Sequence, residues 1–308
     1  MKLVEKIKNA NFNFVRKGRW FYIAPAVILA VGILMLAIFG FNLGLDFTGG
    51  TTVKINADGE FTKAEIQDKM DDYNFKYSIA KEQSTEGGNA FSIKFNAGDK
   101  TENIITELET YFDSDFIEYN TFSDTTIKET VMSVFWSILA ALAGLIVYML
   151  IRFKFTAGMA TILALMHDVL MIGALMAIFR VEINTSFIAA VLTVIAYSIN
   201  NSLVVFDRVR TFEKNNTENY TLEQIINKSI NSTLGRSILT MATTLGTLLV
   251  LTVISIVMQL SSLIEFALPI VFGLIAGTYS SLFLIAPLYM QFESARLYTK
   301  QRKLAKNK

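Results

Sequence analysis

The chain has no cysteine, which excludes disulfides, thiolate nucleophiles and cysteine-ligated zinc. It has one histidine, His167, too few for a multi-histidine metal centre, so neither a metal nor another cofactor is expected. Charge is sparse: Asp, Glu, Lys and Arg make up 18% of the 308 residues, and the net charge is +1, so no overall field favours nucleic acid. Apolar residues fill the space that charge leaves. They make up 52% of the chain, and the mean hydropathy is +0.42, values that belong to a polytopic membrane protein rather than a soluble domain.

A hydrocarbon core about 30 Å thick needs roughly 20 apolar residues in a helix. Six runs of about that length are present: Trp20–Leu43, Val131–Ile151, Thr156–Phe179, Ser186–Phe206, Ser237–Met258 and Phe266–Phe292. The first is too long for a signal-peptide core and reads as an uncleaved anchor. All three prolines, Pro25, Pro269 and Pro287, fall inside these runs, where neighbouring helices accommodate the bend. Of the 28 basic residues, 19 lie in the amino-terminal stretch, the turn after the second run, the loop 207–235 with the adjoining Arg236, and the tail. The two short loops on the other side hold only Arg180. Both termini are therefore expected in the cytoplasm. The expected organisation is a cytoplasmic amphipathic segment 1–19, a first span 20–43, an external domain 44–130, spans two to six over 131–292 with cytoplasmic loop 207–235, and a basic tail 293–308.

The segment 44–130 is acidic, with 18 Asp and Glu against 8 Lys. Alternation predicts strands over Thr51–Asp58, Lys76–Lys81, Phe91–Phe95 and Phe116–Phe122, with Glu86-Gly87-Gly88-Asn89 turning between the second and third. Helical spacing predicts helices over Phe61–Tyr73 and Thr101–Phe112. The order β-α-β-β-α-β is that of a ferredoxin-like α+β domain, one sheet covered on one face by two helices. No phosphate loop, metal cluster or nucleophile-base pair accompanies it, so contact with another protein is expected rather than catalysis, and the chain is not read as an enzyme.

Polar residues inside the runs are the candidates for function. Asp168 lies near the middle of the third run, after His167. A carboxylate there must be neutral, paired or hydrated, and is either an interhelical hydrogen-bonding group or part of an ion path. At the end of the fourth run, Asn200 and Asp207 share a face, with Tyr197, Ser198 and Asn201 beside them. On the fifth, Arg236, Thr240, Thr243 and Thr247 form one stripe, and the two stripes are expected to meet; Arg236 by itself also fits a snorkelling anchor. Gly273 and Gly277 permit close helix approach. Leu222, Ile225, Ile226 and Ile230 suggest a short interfacial helix on the membrane.

The sequence resembles the SecD/SecF family of bacterial protein-export membrane subunits, within the resistance-nodulation-division superfamily. The resemblance rests on Gly44-Leu45-Asp46-Phe47-Thr48-Gly49-Gly50, His167-Asp168-Val169, Tyr197-Ser198-Ile199-Asn200, Val205-Phe206-Asp207-Arg208-Val209-Arg210, Arg236-Ser237 and Gly277-Thr278-Tyr279-Ser280-Ser281. It implies a partner chain, SecD, forming the other half of a twelve-span unit. It also implies association with the SecYEG channel and use of the proton motive force to help preproteins across after the SecA ATPase has acted, with unfolded preproteins meeting the external domain. Asp168, Asp207, Arg236, Asn201 and Asn200 would then be relay candidates, and Asp46, Gly49 and Gly50 the joint to the moving domain; a tight turn with an Asp cap is the plainer reading of that joint. One position departs from the family pattern: Asn201 stands where an aspartate is usual, and an amide cannot titrate, so the relay in this chain would rest on Asp168, on Asp207 or on a carboxylate of the partner. Two other readings compete. One is half of an exporter of lipids or small hydrophobic molecules; the other is an uncoupled factor for translocon assembly or membrane insertion. Apart from these partners, only membrane lipids are expected around the chain.

Overall fold

The structure, a computed structural model, describes residues 13–16, 18–56, 61–73, 75–83, 89–96, 98–113, 116–215, 219–258 and 260–306. Most of the expected segment 1–19, the strand end at Asp58 and the turn residues Glu86-Gly87-Gly88 lie outside the described residues. The first apolar run forms helix α1, Ile23–Phe39, shorter than the span Trp20–Leu43 that the sequence suggests. Its 17 residues rise about 26 Å. The helix stops because Gly40 adopts a φ of 66°, and the chain beyond it is captured by the loop after the third run. Ile183 N donates to Asn42 O at 2.8 Å and Gly44 N donates to Ile183 O at 2.8 Å.

The segment after α1 then folds as β1 (Gly50–Asn56), α2 (Lys63–Asp71), β2 (Tyr77–Gln83), β3 (Asn89–Phe95), α3 (Thr101–Phe112) and β4 (Phe116–Phe122). The strands make one sheet in the order β2-β3-β1-β4, every neighbouring pair antiparallel. Alternation decides its two faces. Val53, Ile55, Phe91, Ile93 and Phe95 point to Ile66, Met70, Ile104, Leu108 and Phe112 of the helices, and together they form a buried core. Helix α2 starts at a capping box in which the Thr62 side chain accepts from Glu65 N and Glu65 accepts from Thr62 N. These bonds hold the Glu65 carboxyl below its ordinary range. The opposite face carries Thr52, Lys54, Ser92, Lys94, Glu118 and Asn120, which line a cavity together with Glu182, Asn184, Ser262 and Glu265.

Four more apolar helices and one long compound helix follow: α4 (Asp124–Arg152), α5 (Phe155–Phe179), α6 (Thr185–Lys214), α7 (Leu222–Val257), then α8 (Ser261–Tyr279) running through a π-helical segment, Ser280–Leu284, into α9 (Ile285–Lys306). Ser123, Asn184 and Thr221 cap the first, third and fourth through side-chain oxygens. Among the described residues these five are long and apolar enough to cross a membrane; α1 is apolar but shorter. The chain is a polytopic helical membrane protein with a small sheet on one side.

One expectation is corrected. Leu222, Ile225, Ile226 and Ile230 do not form a separate helix on the membrane surface, because α7 is continuous from Leu222 for 36 residues. Ile225, Ile226 and Ile230 are buried against Phe14, Val205, Phe206 and Val209. Their apolar stripe finds protein, not lipid.

Candidate ion-relay site

Asp168 is the most enclosed carboxylate of the membrane region, 1% exposed. Three elements supply its contacts. Ser198 Oγ on α6 donates to Oδ2 at 2.5 Å, Ser280 Oγ at the start of the π segment donates to the same oxygen at 2.9 Å, and His167 Nδ1 lies 3.0 Å from Oδ1. Close packing of α6 on α8 makes this possible. A Cβ at Gly277 would sit 3.1 Å from Ser198 Cβ and 3.5 Å from Asp168 Oδ2, so any larger residue would press on Ser198 at this contact. The π segment adds a residue to the turn and rotates Ser280 and Ser281 inward, both fully buried.

The neighbourhood holds hydrogen-bonding atoms without protein partners among the described residues: His167 Nε2, Tyr197 OH, Asn201 Nδ2 and Thr278 Oγ1, all buried. Such groups are costly in a dry interior unless water or an ion meets them. A carboxylate with two hydroxyl donors, an imidazole nitrogen within hydrogen-bond reach and several unmet polar atoms make a polar pocket inside the helix bundle.

The other candidates are distributed differently. Asn201 is buried, one residue beyond the exposed Asn200. Asp207 is 61% exposed and pairs loosely with Arg152 at 3.6 Å. Asp207 and Arg236 line one open cavity of about 410 Å³ with Arg152, Arg208 and Ser232, so these polar ends of α6 and α7 do converge. Further along α7 the expected meeting of stripes fails. Thr243 and Thr247 are exposed and satisfy their hydroxyls on backbone carbonyls of their own helix. The polar stripe of α7 faces out of this bundle, as does Asn200.

At the outer joint, Asp46 does not cap its own turn. Its Oδ2 accepts from Thr185 N at 2.7 Å and from Thr185 Oγ1, at the amino-terminal end of α6, where the helix dipole favours a carboxylate. Gly49 and Gly50 have φ of 79° and 135°. A Cβ on Gly50 would come within 2.6 Å of Phe95 O, so the turn into β1 requires glycine.

Two groups of residues escape a reading by periodicity. Lys94 on β3 reaches Glu182 at 2.7 Å and Glu265 at 3.8 Å, and Asn184 Nδ2 donates to Glu265 at 2.5 Å. On the opposite side, buried Glu293 of α9 accepts from Thr156 Oγ1 at 2.6 Å and pairs with Arg296 at 3.1 Å. The only signal in the sequence was an acidic residue placed in or beside an apolar run.

Comparison with known proteins bears on what this geometry serves. The family described as "Protein export membrane protein SecD/SecF, C-terminal" matches residues 101–295, and the "SecD/SecF GG Motif" matches residues 34–59. The chain is 31% identical to the protein translocase subunit SecF of Petrotoga mobilis, over 94% of this chain and 99% of that one. It is 33% identical to SecF of Rickettsia typhi, over 94% of both. Against the protein translocase subunit SecDF of Bacillus subtilis it is 30% identical, covering 93% of this chain but 39% of that longer protein. Among solved structures it is similar to SecDF, a translocon-associated membrane protein from Thermus thermophilus, with a TM-score of 0.75 and 27% identity over 93% of this chain and 39% of that one. A super-membrane-facing form of SecDF gives 0.66 at 28% identity, over 96% of this chain and 40% of that one.

Proposed function

The chain belongs to the SecD/SecF family of protein-export membrane proteins, and from that premise we propose that it is a SecF-type subunit that works with SecD on preprotein export. In this reading the pair uses the proton motive force to assist passage through SecYEG after the SecA step, and unfolded preproteins meet the external segment. Helix α1 counts as the first of six spans. The sheet with its two helices is a ferredoxin-like domain outside the membrane, and both termini lie in the cytoplasm, where most basic residues are found. The role is transport without a cofactor, not catalysis.

The observation that supports this reading best is the environment of Asp168. Protonation turns one carboxylate oxygen from acceptor to donor, so Ser198, Ser280 or His167 must then reverse or withdraw. Those bonds join α5, α6 and the α8–α9 junction, and the packing of all three changes with the proton. One charge moving through 100 mV carries about 2.3 kcal/mol. A hydrogen bond to a charged group is worth about 1.5–3 kcal/mol, so one proton suffices to exchange one such bond. The outward-facing Asn200, Arg236, Thr243 and Thr247 are the groups a SecD half would cover, with Asp207 near them. Asn201 cannot titrate and acts in this scheme only as a hydrogen-bonding neighbour.

Export into reconstituted vesicles holding this chain, SecD, SecYEG and SecA tests the proposal. A proton gradient should accelerate export by the natural chain and leave an Asp168→Asn variant at its ATP-only rate. A variant that keeps the full gradient response refutes it. The amide at Asn201 favours one second reading, an uncoupled assembly factor, and that reading expects no gradient response in either protein.

A further inference from the structure

The helices that close on Asp168 are α5, which carries it, α6, which brings Ser198, and the α8–α9 run, which brings Gly277 and Ser280. Their outer ends come together a second time. From Asp168 to the end of α5 at Phe179 is 11 residues, from Ser198 to the start of α6 at Thr185 is 13, and from Gly277 to Glu265 is 12. At 1.5 Å per residue the three arms measure about 17, 20 and 18 Å. Beyond them stand Glu182 in the α5–α6 loop, Asn184 at the cap of α6 and Glu265 in α8. All three are gathered around one group from the sheet, the Lys94 ammonium.

Lys94 projects from the polar face of β3, the face away from the domain's own core, and its side chain is 22% exposed. It lies 2.7 Å from Glu182 and 3.8 Å from Glu265, and the Asn184 amide ties Glu265 to the same knot. The surrounding cavity of about 200 Å³ also holds Asp46, Lys54 and Glu118. Without Lys94, Glu182 and Glu265 would face each other across this cavity with one cation fewer between them. The two carboxylates belong to different arms, so a small change in the relative position of the arms changes whether one ammonium can serve both. We infer that Lys94 is a positioning residue of the relay: it clasps the external sheet to the outer ends of the three helices that enclose Asp168, and it loses one carboxylate when those helices repack. This rests on the proposed titration of Asp168 and adds the residue through which it is felt outside.

The absence of cysteine gives a direct test. Cysteines introduced at Glu109 and Met258, both exposed, carry nitroxide labels in the full chain reconstituted with SecD, and their separation is measured by pulsed electron resonance. The natural sequence should give one dominant distance. Lys94→Gln should add a longer population, and Asp168→Asn, with Lys94 intact, should add the same one. Lys94→Arg, which keeps the cation, should retain the single distance and the gradient-stimulated fraction of export. The inference is overturned if Lys94→Gln leaves the distance unchanged, or if Asp168→Asn does so while Lys94→Gln lengthens it, since Lys94 would then be a fixed strut. Failure of the underlying proton reading looks different: Asp168→Asn would retain gradient-stimulated export.

Discussion

The contacts of Asp168 depend on how closely α6 and α8 approach, and Gly273 lies where the two helices meet most tightly. A Cβ built there lies 2.3, 2.5 and 2.9 Å from Cγ2, Cγ1 and Cβ of Val194. Carbon atoms rest at about 3.5–4.0 Å, so the helices must part by roughly 1 Å or Val194 must turn. Val194 cannot turn freely, because a β-branched side chain in a helix has essentially one rotamer. Gly273→Ala should therefore incur the upper part of the overpacking range, about 3 kcal/mol. The better helix propensity of alanine returns about 1 kcal/mol, leaving a net loss of about 2 kcal/mol. Unfolding of the purified chain in detergent, followed by circular dichroism, measures it. Val194→Ala removes the obstructing methyls, so the double variant should be more stable than the sum of the single effects by at least about 1 kcal/mol. Gly32 provides the contrast. Its added Cβ would lie 2.7 Å from the Ala174 Cα, a backbone atom, so Ala174→Gly should not rescue Gly32→Ala. A neutral Gly273→Ala, or a double variant that is merely additive, would refute the account of this contact.

Two further outcomes concern the sheet and its helices. Gly50→Ala forces a side chain onto a φ of 135° and against Phe95 O, a strain of about 1–3 kcal/mol before the clash is counted; limited proteolysis should cleave 50–122 faster in the variant, and equal rates would contradict the turn geometry. Burial and the bond from Tyr73 OH to Glu107 at 2.7 Å push the Tyr73 phenol well above its ordinary range, and the bond to Asp71 raises Tyr77 in the same sense. A phenol whose folded value exceeds its unfolded one near 10 stabilises the fold below that pH and loses the contribution as pH climbs toward the folded value. Tyr73→Phe should thus lower stability at pH 8 by about 0.5 kcal/mol, at the low end for a partly exposed bond, and flatten its decline between pH 9 and 11; an unchanged slope would count against the assignment.

What could be read from the sequence followed local rules. The strands from Gly50 to Phe122 are close to where alternation puts them, and α3 matches the spacing of Ile104, Ile105, Leu108 and Phe112. The apolar runs locate α4 to α9, although Gly40 cuts the first helix short. Asp168 stood out because a carboxylate in an apolar run is expensive wherever it points. Its contact with Ser280 did not. Ser280 turns inward because a π segment shifts the helical phase, and periodicity assumes a constant phase. The Lys94 cluster joins residues 88 and 171 positions apart, and no spacing rule reaches that far. The same limit explains α7: Ile225, Ile226 and Ile230 advertise an apolar stripe, but only tertiary packing on Phe14 and Val205 says that protein covers it.

Helix α7 has one more property worth following. It contains no proline and no π segment over Leu222–Val257, so its backbone hydrogen-bond ladder is unbroken by either. At 1.5 Å per residue it is a rod about 54 Å long, well beyond a bilayer's hydrocarbon thickness. Near its first turns Asn227 is gripped by Phe14 and Val15, whose backbone amides donate to its side chain at 2.8 and 3.3 Å, and Asn13 bonds Glu223 at 3.2 Å. The amino-terminal segment therefore holds one end of a single unbroken helix whose other end, Val257, lies 30 residues from Asn227. One helix thus joins the packing around Phe14 to the loop that leads into α8.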